Sequence, residues 1–354
     1  MNKIKNFFKK IIKKEDSRIY CFIRLLKYGK NKDFIKEVNL INHNPNILKF
    51  KSLGNKNENK NILFIEILGE KQGLGAFLRK TLLIFYEADK LGFIPYIFYD
   101  KNNFYREKSI LTTNNTYEYY FKQKENLTIS EVNESKRVFY CTGDIIKRIE
   151  EELYGKKVDL NAGYYVYEEY LKILGNVARK NLILNEQTTN YIKKSIKENL
   201  KNKIYNNKVL AVHVRGTDYA LNWKNHPNMV TVENFFVEID KALKLYNFEY
   251  IFLATDDSNR LEAFKCKYKE KLIYFPDVHR SSGTINVALE QNDRENNAYL
   301  NGLEVIRDIY TLAQCQGLIA GLSQVSIMAR IINYSLDDKA YVYKKIIDKG
   351  IYKG

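Results

Sequence analysis

Residues 209–220 read VLAVHVRGTDYA and form the most informative stretch of the chain. The segment from Val209 to Val214 is almost continuously apolar, which is typical of a parallel strand buried on both faces. Polar groups then appear abruptly: His213, Arg215, Thr217 and Asp218. Ligands of open α/β sheets bind beyond the carboxyl ends of the strands. The stretch therefore predicts an interior strand whose end carries a binding site.

The residues that follow repeat a pattern of strands and helices. Further strands are predicted at YIFLAT, KLIYF and GLIA, and helices at TVENFFVEIDKALKLYN, SNRLEAFKCKY, around GLEVIRDIYTLAQC and from Ser323 to Asn333. Alternating strands and helices imply right-handed crossovers and a parallel sheet. We predict a Rossmann-like domain over residues 205–335, followed by a C-terminal tail over residues 336–354.

The first half of the chain opens with the same pattern. NILFIEIL predicts a strand, EKQGLG a turn, AFLRKTLLIFYEADKLG a helix that ends in a glycine, and IPYIFYD a second strand. The remainder, up to about Ile204, is predicted to be largely helical, and KENLKNKIYNNK to be a linker. The prediction is an α/β fold with a first domain over residues 60–200 and two Rossmann-like parallel sheets facing each other across a cleft.

Composition bounds the possible functions. The chain has 354 residues, of which 45% are apolar, enough for two cores of ordinary domain size. Its net charge of +16 favours anionic partners such as nucleic acid, lipid headgroups or phosphorylated substrates. The four cysteines form no CxxC or Cys/His cluster, which predicts a reducing cytoplasm and no metal site. Neither a membrane-spanning run nor a signal peptide is expected.

The N-terminal segment, residues 1–40, begins with a basic amphipathic pattern. In MNKIKNFFKKIIKK the apolar residues share one face of a helix and lysines cover the rest. Residues 1–14 could bind an anionic membrane as an interfacial helix, or could pack their apolar stripe on the protein itself. The first alternative predicts a cytoplasmic protein that is peripheral on the inner face of the membrane.

Three predicted strands end in polar clusters, HVRGTD, ATDD and GLSQ, at one edge of the second sheet. Arg215 offers a fork of donors to a phosphate, and Gly216 allows the backbone to approach closely. A helix that begins at Ser323 and Gln324 favours an anion. The remaining candidates are side chains that could bind a base or a sugar, or brace the loops: His213, Asp308, Asp256 and Asp257.

Structural alternatives stay open for each of these residues. Ser323 could be only a helix cap, Asp308 a solvated carboxylate, and Arg215 with Asp218 an ion pair. In the first half, Gly69, Gly73 and Gly75 differ from the dinucleotide fingerprint GxGxxG. These glycines fit a dinucleotide site less well than a turn that brings the start of a helix close to the centre of the molecule.

The motifs HVRGTDY, FLATDDS and GLEVIRDIYTLAQCQGLIAGLSQVSIMARIIN resemble, in order and spacing, the three conserved regions of the GDP-fucose-dependent fucosyltransferase superfamily. The resemblance covers residues 209–333. It implies an inverting enzyme of GT-B architecture that needs no metal or other cofactor. It also implies that His213 and Asp308 hold guanine, Arg215 the β-phosphate and Ser323 the diphosphate. Consistent with this, the sequence lacks the DxD triplet of metal-dependent glycosyltransferases.

The sequence departs from the family pattern at two points. Gly216 stands where several members carry a second arginine, and YALNWKNHPNM lacks the acidic residue proposed as the base in the α1,6 branch. Asp218 is then the first candidate for the base, although it could equally orient Arg215. Glu66 and Glu70, near the end of the first strand, are further candidates.

The function expected from these features is transfer of fucose from GDP-fucose to a glycan or lipid-linked glycan, during synthesis of a surface polysaccharide or another glycoconjugate. The principal alternative is a GT-B enzyme that uses a different nucleotide sugar. A nucleic-acid-binding protein, suggested by the charge and by 28 tyrosines, is disfavoured because the lysines form no concentrated stripe outside the N-terminus and no nucleic-acid-binding motif is present.

Overall fold

The computed structural model describes residues 48–69, 72–99, 101–110, 112–141, 144–154, 163–290, 292–336 and 340–354, without the side chains of Asp144 and Asp218. The predicted basic segment, residues 1–40, and Glu70 lie outside the described residues. Within the described part, no helix is long and apolar enough to cross a membrane.

The first half of the chain contains a four-stranded sheet in the order β1-β4-β2-β3. Its strands are β1 (Leu48–Lys51), β2 (Ile62–Ile67), β3 (Ile94–Tyr99) and β4 (Val138–Cys141). β2 is parallel to β3, as predicted, and to β4, which was not predicted as a strand, and β1 runs antiparallel to β4 at the edge of the sheet. The first sheet is therefore mixed. Its edge strand, LKFK, exposes both lysines, which suits a strand with one open side.

The predicted first helix, α1, spans Leu74–Leu91 and ends at Gly92, whose φ of 68° provides the left-handed cap. The helices that follow are α2 (Ile129–Asn133), α3 (Asp144–Tyr154), α4 (Glu168–Asn181), α5 (Glu186–Leu200) and α6 (Lys203–Asn206). The predicted linker contains α6, which is separated from α5 by two left-handed residues, Lys201 and Asn202. The predicted helical character is confirmed for the described residues from Asp144 to Asn206, whereas the preceding part of this region has the short helix α2 and the strand β4.

The second half contains an all-parallel five-stranded sheet in the order β7-β6-β5-β8-β9. Its strands are β5 (Val209–Val214), β6 (Tyr250–Thr255), β7 (Leu272–Ile273), β8 (Gly317–Gly321) and β9 (Tyr343–Ile347). Its helices are α7 (Val232–Tyr246), α8 (Ser258–Tyr268), α9 (Asn297–Gln314) and α10 (Gln324–Ser335). The predicted α/β class with Rossmann-like strand and helix alternation is confirmed. The segment assigned to a tail after residue 335 contributes β9 to this sheet.

The two halves share their largest core, in contrast to the separate cores expected from composition. On β5, Leu210, Val212 and Val214 face one core, formed with α7, α8 and β9. Val209 and Ala211 face the other, which continues through α9 and α10 into α1, α4 and β2. α4 and α10 pack so closely that a Cβ on Gly175 would lie 2.5 Å from Tyr334 Cβ. The two sheets are therefore joined by buried apolar contacts.

Candidate functional site

The alternation of side chains along β5 decides where His213 lies. Since Val209 and Ala211 face the shared core, His213 points to the same side, toward the start of α10. Its Nδ1 lies 3.3 Å from Ser323 Oγ, and the side chain is buried. Burial is the main cause that lowers the pKa of His213 to about 4, with Asp256 opposing the shift and Arg215 adding to it. The imidazole is therefore neutral near pH 7.

Arg215 forms an ion pair with Asp256, which lies beyond the end of β6. Asp256 Oδ1 also accepts from Gly216 N at 2.9 Å, and Oδ2 accepts from Thr217 Oγ1 at 3.2 Å. Thr217 has a φ of 48°, so these contacts hold the backbone in the left-handed region just after the strand. Arg215 thus pairs with Asp256, whereas the side chain of Asp218 lies outside the described part of the structure. Asp256 orients the arginine and braces the loop.

Gly216 permits the ends of β5 and β6 to touch. A Cβ at this position would lie 2.5 Å from Asp257 Cβ and from Asp257 Oδ2. Asp257 caps α8 by accepting from Asn259 N at 2.9 Å and from Arg260 N at 3.2 Å, and it lies 3.3 Å from Arg260 Nε. The contacts of Asp257 are therefore those of a structural brace.

Ser323 and Gln324 lie where the two halves meet. Ser323 caps α10 in a capping box, with Ser326 N donating to Ser323 Oγ at 3.0 Å and Ser323 N donating to Ser326 Oγ at 3.2 Å. Gln324 Nε2 donates to Gly163 O at 3.3 Å. A Cβ on Gly75 would lie 3.0 Å from the backbone of Gln324. The glycine-rich turn therefore lets the start of α1 approach the start of α10.

Asp308 lies on α9 in a group of charged residues. Burial raises its pKa to about 7, against the opposing effect of Arg307 and Arg280 and with the support of Glu304 and Asp277. This shift leaves the carboxyl group partly protonated near neutral pH.

Arg280 is a residue that the three-motif interpretation missed. Its guanidinium donates to three carbonyl oxygens: Thr255 O at 3.2 Å, Val278 O at 3.0 Å and Phe275 O at 2.8 Å. It therefore ties the end of β6 to the loop after β7 and lies within electrostatic range of Asp308. The sequence did contain a signal for Arg280, because PDVHR, which ends at this residue, is a polar segment that follows the predicted strand KLIYF.

The structure brings most of the predicted residues to one edge of the second sheet. His213, Arg215 and Asp256 lie within electrostatic range of one another, and Ser323 contacts His213. Glu66 lies on β2 and is exposed. Glu70 and the Asp218 side chain fall outside the described residues. Across the described ranges, no group of three or more His, Cys, Asp or Glu side chains could hold a metal ion.

Comparison with known proteins gives one family match. Residues 181–352 match the family model described as alpha-(1,6)-fucosyltransferase N- and catalytic domains. Comparison with curated proteins found no match.

Several solved structures resemble this chain at low sequence identity. They include NodZ alpha-1,6-fucosyltransferase co-crystallised with GDP, at 14% identity over 77% of this chain and 92% of that one, with a TM-score of 0.46. POFUT1 in complex with GDP-fucose is 12% identical over 84% of this chain and 99% of that one, with a TM-score of 0.42. A FUT1 variant from Arabidopsis thaliana in complex with GDP is 9% identical over 78% and 70%, with a TM-score of 0.42.

Proposed function

We propose that the protein transfers fucose from GDP-fucose to a glycan acceptor. Residues 181–352 belong to the GDP-fucose-dependent fucosyltransferase superfamily, and the protein is therefore a glycosyltransferase. In this proposal the transfer inverts the configuration at the anomeric carbon and needs no metal ion or other cofactor. The NodZ and POFUT1 structures contain GDP or GDP-fucose, which supports a GDP-sugar as donor.

The observation that carries the proposal is the ion pair that fixes Arg215 at the end of β5, a strand whose His213 contacts the start of α10. Asp256 holds the guanidinium at the end of β5, and His213 connects that strand to the Ser323 cap. A guanidinium fork and the N–H groups of a helix start both favour phosphate oxygens. Together they would neutralise the negative charge that develops on the departing diphosphate.

Recognition of the base is assigned to His213 and Asp308. The neutral imidazole of His213 can offer one donor and one acceptor, and an ionised Asp308 can accept from the N–H groups of guanine. Because the pKa of Asp308 is raised to about 7, this second contact would strengthen as the pH rises through neutrality. Both assignments follow from the family resemblance and agree with the chemistry of the side chains.

In the reaction that we propose, an acceptor hydroxyl attacks the anomeric carbon from the face opposite GDP. A glycosidic C–O bond forms as the bond from the anomeric carbon to the diphosphate breaks, and GDP leaves with both bonding electrons. A carboxylate takes the hydroxyl proton. The candidates for this base remain Asp218, Glu66 and Glu70.

The setting that fits this reaction is synthesis of a surface polysaccharide or another glycoconjugate in the cytoplasm. Residues 1–14 are proposed to bind anionic lipid at the inner face of the membrane, where a lipid-linked acceptor would be located. Deletion of these residues should move the protein from the membrane fraction to the soluble fraction. An unchanged distribution would reject the membrane contact.

A thermal-shift panel with GDP, UDP, CDP, ADP, GDP-fucose and GDP-mannose tests the donor, because a ligand that binds only the native state raises its melting temperature. Selective stabilisation by GDP and GDP-fucose is expected. A larger shift with UDP or CDP would favour the alternative of another nucleotide sugar. Retention on heparin without retention on GDP-agarose would favour nucleic-acid binding.

Calorimetry on Arg215→Ala tests the phosphate contact. We expect the variant to lose GDP binding, because the arginine would be the main charged partner of the diphosphate. Lys267→Ala is the matched control, since it removes a cation of the same half that pairs at 2.9 Å with Asp240 on the surface. Equal GDP affinity in Arg215→Ala and the wild type would reject the assignment.

A further inference from the structure

Four aromatic side chains form a patch, three of them from the loop that follows β5. We call Tyr164, Tyr219, Trp223 and His226 the aromatic patch. The His226 ring centroid lies 5.6 Å from that of Trp223, with the planes at 88°, and 6.4 Å from those of Tyr219 and Tyr164. Trp223 is the single tryptophan of the chain and is 42% exposed. The rings of three residues thus lie around the imidazole of His226.

The aromatic patch adjoins the residues assigned to the diphosphate. The guanidinium carbon of Arg215 lies 5.6 Å from the Tyr219 ring centroid, within the range of a cation–π contact. On the opposite side, Gly163, next to Tyr164, accepts from Gln324 at the start of α10. The patch is therefore continuous with the proposed donor site and includes a residue from each half of the chain.

The C-terminal residues hold the loop of the aromatic patch in place. Asn225 N donates to Tyr352 O at 2.8 Å, Tyr352 N donates to His226 O at 2.9 Å, and Asn228 N donates to Gly350 O at 2.9 Å. Pro227 and Ile351 form an antiparallel bridge within this ladder. An exposed loop fixed by backbone pairing presents its rings in a defined geometry, which lowers the entropic cost of binding.

The exposure of Trp223, together with its place beside the donor-site residue Arg215 through Tyr219, favours a binding surface over a core contact. Large aromatic residues normally bury most of their area when they serve packing alone. A pyranose ring has a face of C–H groups that packs on an aromatic ring, while its hydroxyl groups stay available for hydrogen bonds. Bases also stack on aromatic rings, but the base of the donor is already assigned to His213 and Asp308.

We propose that the aromatic patch binds a sugar ring of the acceptor glycan and presents its hydroxyl to the donor bound at Arg215. The inference rests on the proposed function and adds the location of the acceptor. Trp223 supplies the main apolar face, and the pairing of residues 225–228 with residues 350–352 positions it.

Glycan-array binding in the presence of GDP tests the proposal. The wild type should bind a subset of the printed oligosaccharides, and Trp223→Ala should weaken that binding roughly tenfold or more, as expected for the loss of a stacked ring. Trp223→Phe should keep most of the binding because it retains an aromatic face. Tyr205→Ala removes another exposed aromatic ring, 47% accessible, and should bind as the wild type does.

Two further readouts separate this proposal from the donor assignment. GDP should raise the melting temperature of Trp223→Ala as much as that of the wild type. Because Trp223 is the single tryptophan of the chain, glycans that bind the aromatic patch should change the tryptophan fluorescence. Removal of residues 350–354 should weaken glycan binding as Trp223→Ala does. No binding to any glycan, equal binding by Trp223→Ala, or loss of the GDP response in Trp223→Ala would each overturn the proposal. A wild type that binds glycans but not GDP would reject the donor assignment alone.

Discussion

His213 and Asp308 respond to pH in opposite directions. The pKa of His213 falls from 6.5 to about 4 on folding, so between these values the unfolded chain binds more protons and stability rises with pH. The pKa of Asp308 rises from 3.8 to about 7, so the native state binds more protons and stability falls as pH rises. The two effects oppose each other over most of the same range.

Because the two effects oppose each other, replacing one of the two residues should expose the effect of the other on how the unfolding free energy depends on pH. Relative to the wild type, His213→Asn should lose the increase in unfolding free energy between pH 4 and 6.5, a change of roughly 3 kcal/mol from the pKa shift. Asp308→Asn should lose the decrease between pH 4 and 7. Urea denaturation at a series of pH values measures both differences. Parallel profiles for the wild type and both variants would contradict the prediction.

At the scale of single residues, the sequence predicted which side chains lie at the edge of the second sheet better than it predicted the hydrogen-bond and ion-pair partners of those side chains. The carboxyl ends of parallel strands share an edge, which was enough to bring His213, Arg215 and Asp256 together in advance. The pairing of Arg215 with Asp256, over 40 positions away, depends on strand order and on loop geometry. The same holds for Arg280, whose role as a tie between backbone carbonyls has no sequence motif.

Among the elements, the α10 cap offers a test that separates stability from binding. Ser323→Ala should lower the unfolding free energy by about 1 kcal/mol, since the cap of the helix is lost. It should also weaken GDP binding, because the helix start faces the proposed diphosphate position. Chemical denaturation and GDP calorimetry measure the two effects.

Thr128→Ala provides the matched control for Ser323→Ala. Thr128 caps α2 in a capping box with Glu131, through Glu131 N donating to Thr128 Oγ1 at 3.2 Å. Its loss should cost stability by a similar mechanism and leave GDP affinity unchanged. If the two variants affected GDP binding equally, Ser323 would be only a cap.

Among the elements, the interior strands β2, β5, β6 and β8 were predictable from their apolar patterns, whereas the edge strands β1 and β9 and the short interior strand β4 were not. β5, β6 and β8 are buried along nearly their whole length, and their nearly continuous apolar sequences predict the strands of a parallel sheet. β1 and β9 are short strands that carry two lysines each. Lysines protect an open sheet edge, but they also remove the apolar signal that would identify the strand from its sequence.

For the whole molecule, the shared core predicts a single cooperative unfolding transition. Helical periodicity identifies buried faces but not the partner that covers them, so composition suggested two cores where the structure has one large cluster across both sheets. Leu82→Ala on α1 and Ile309→Ala on α9 each remove buried side chains from that cluster and should cost about 2–5 kcal/mol. Each should shift the same transition, although the two residues lie in different halves.

Calorimetry with and without GDP decides whether the halves unfold together. A single transition, with equal calorimetric and van't Hoff enthalpies, should move as a unit when GDP is added, because a ligand of the second half stabilises everything that unfolds with it. Two transitions, of which GDP raises only one, would mean that the contact of α4 with α10 opens before the sheets unfold. In that case Gly175, where the two helices pack most closely, would mark a hinge between domains instead of a point within one core.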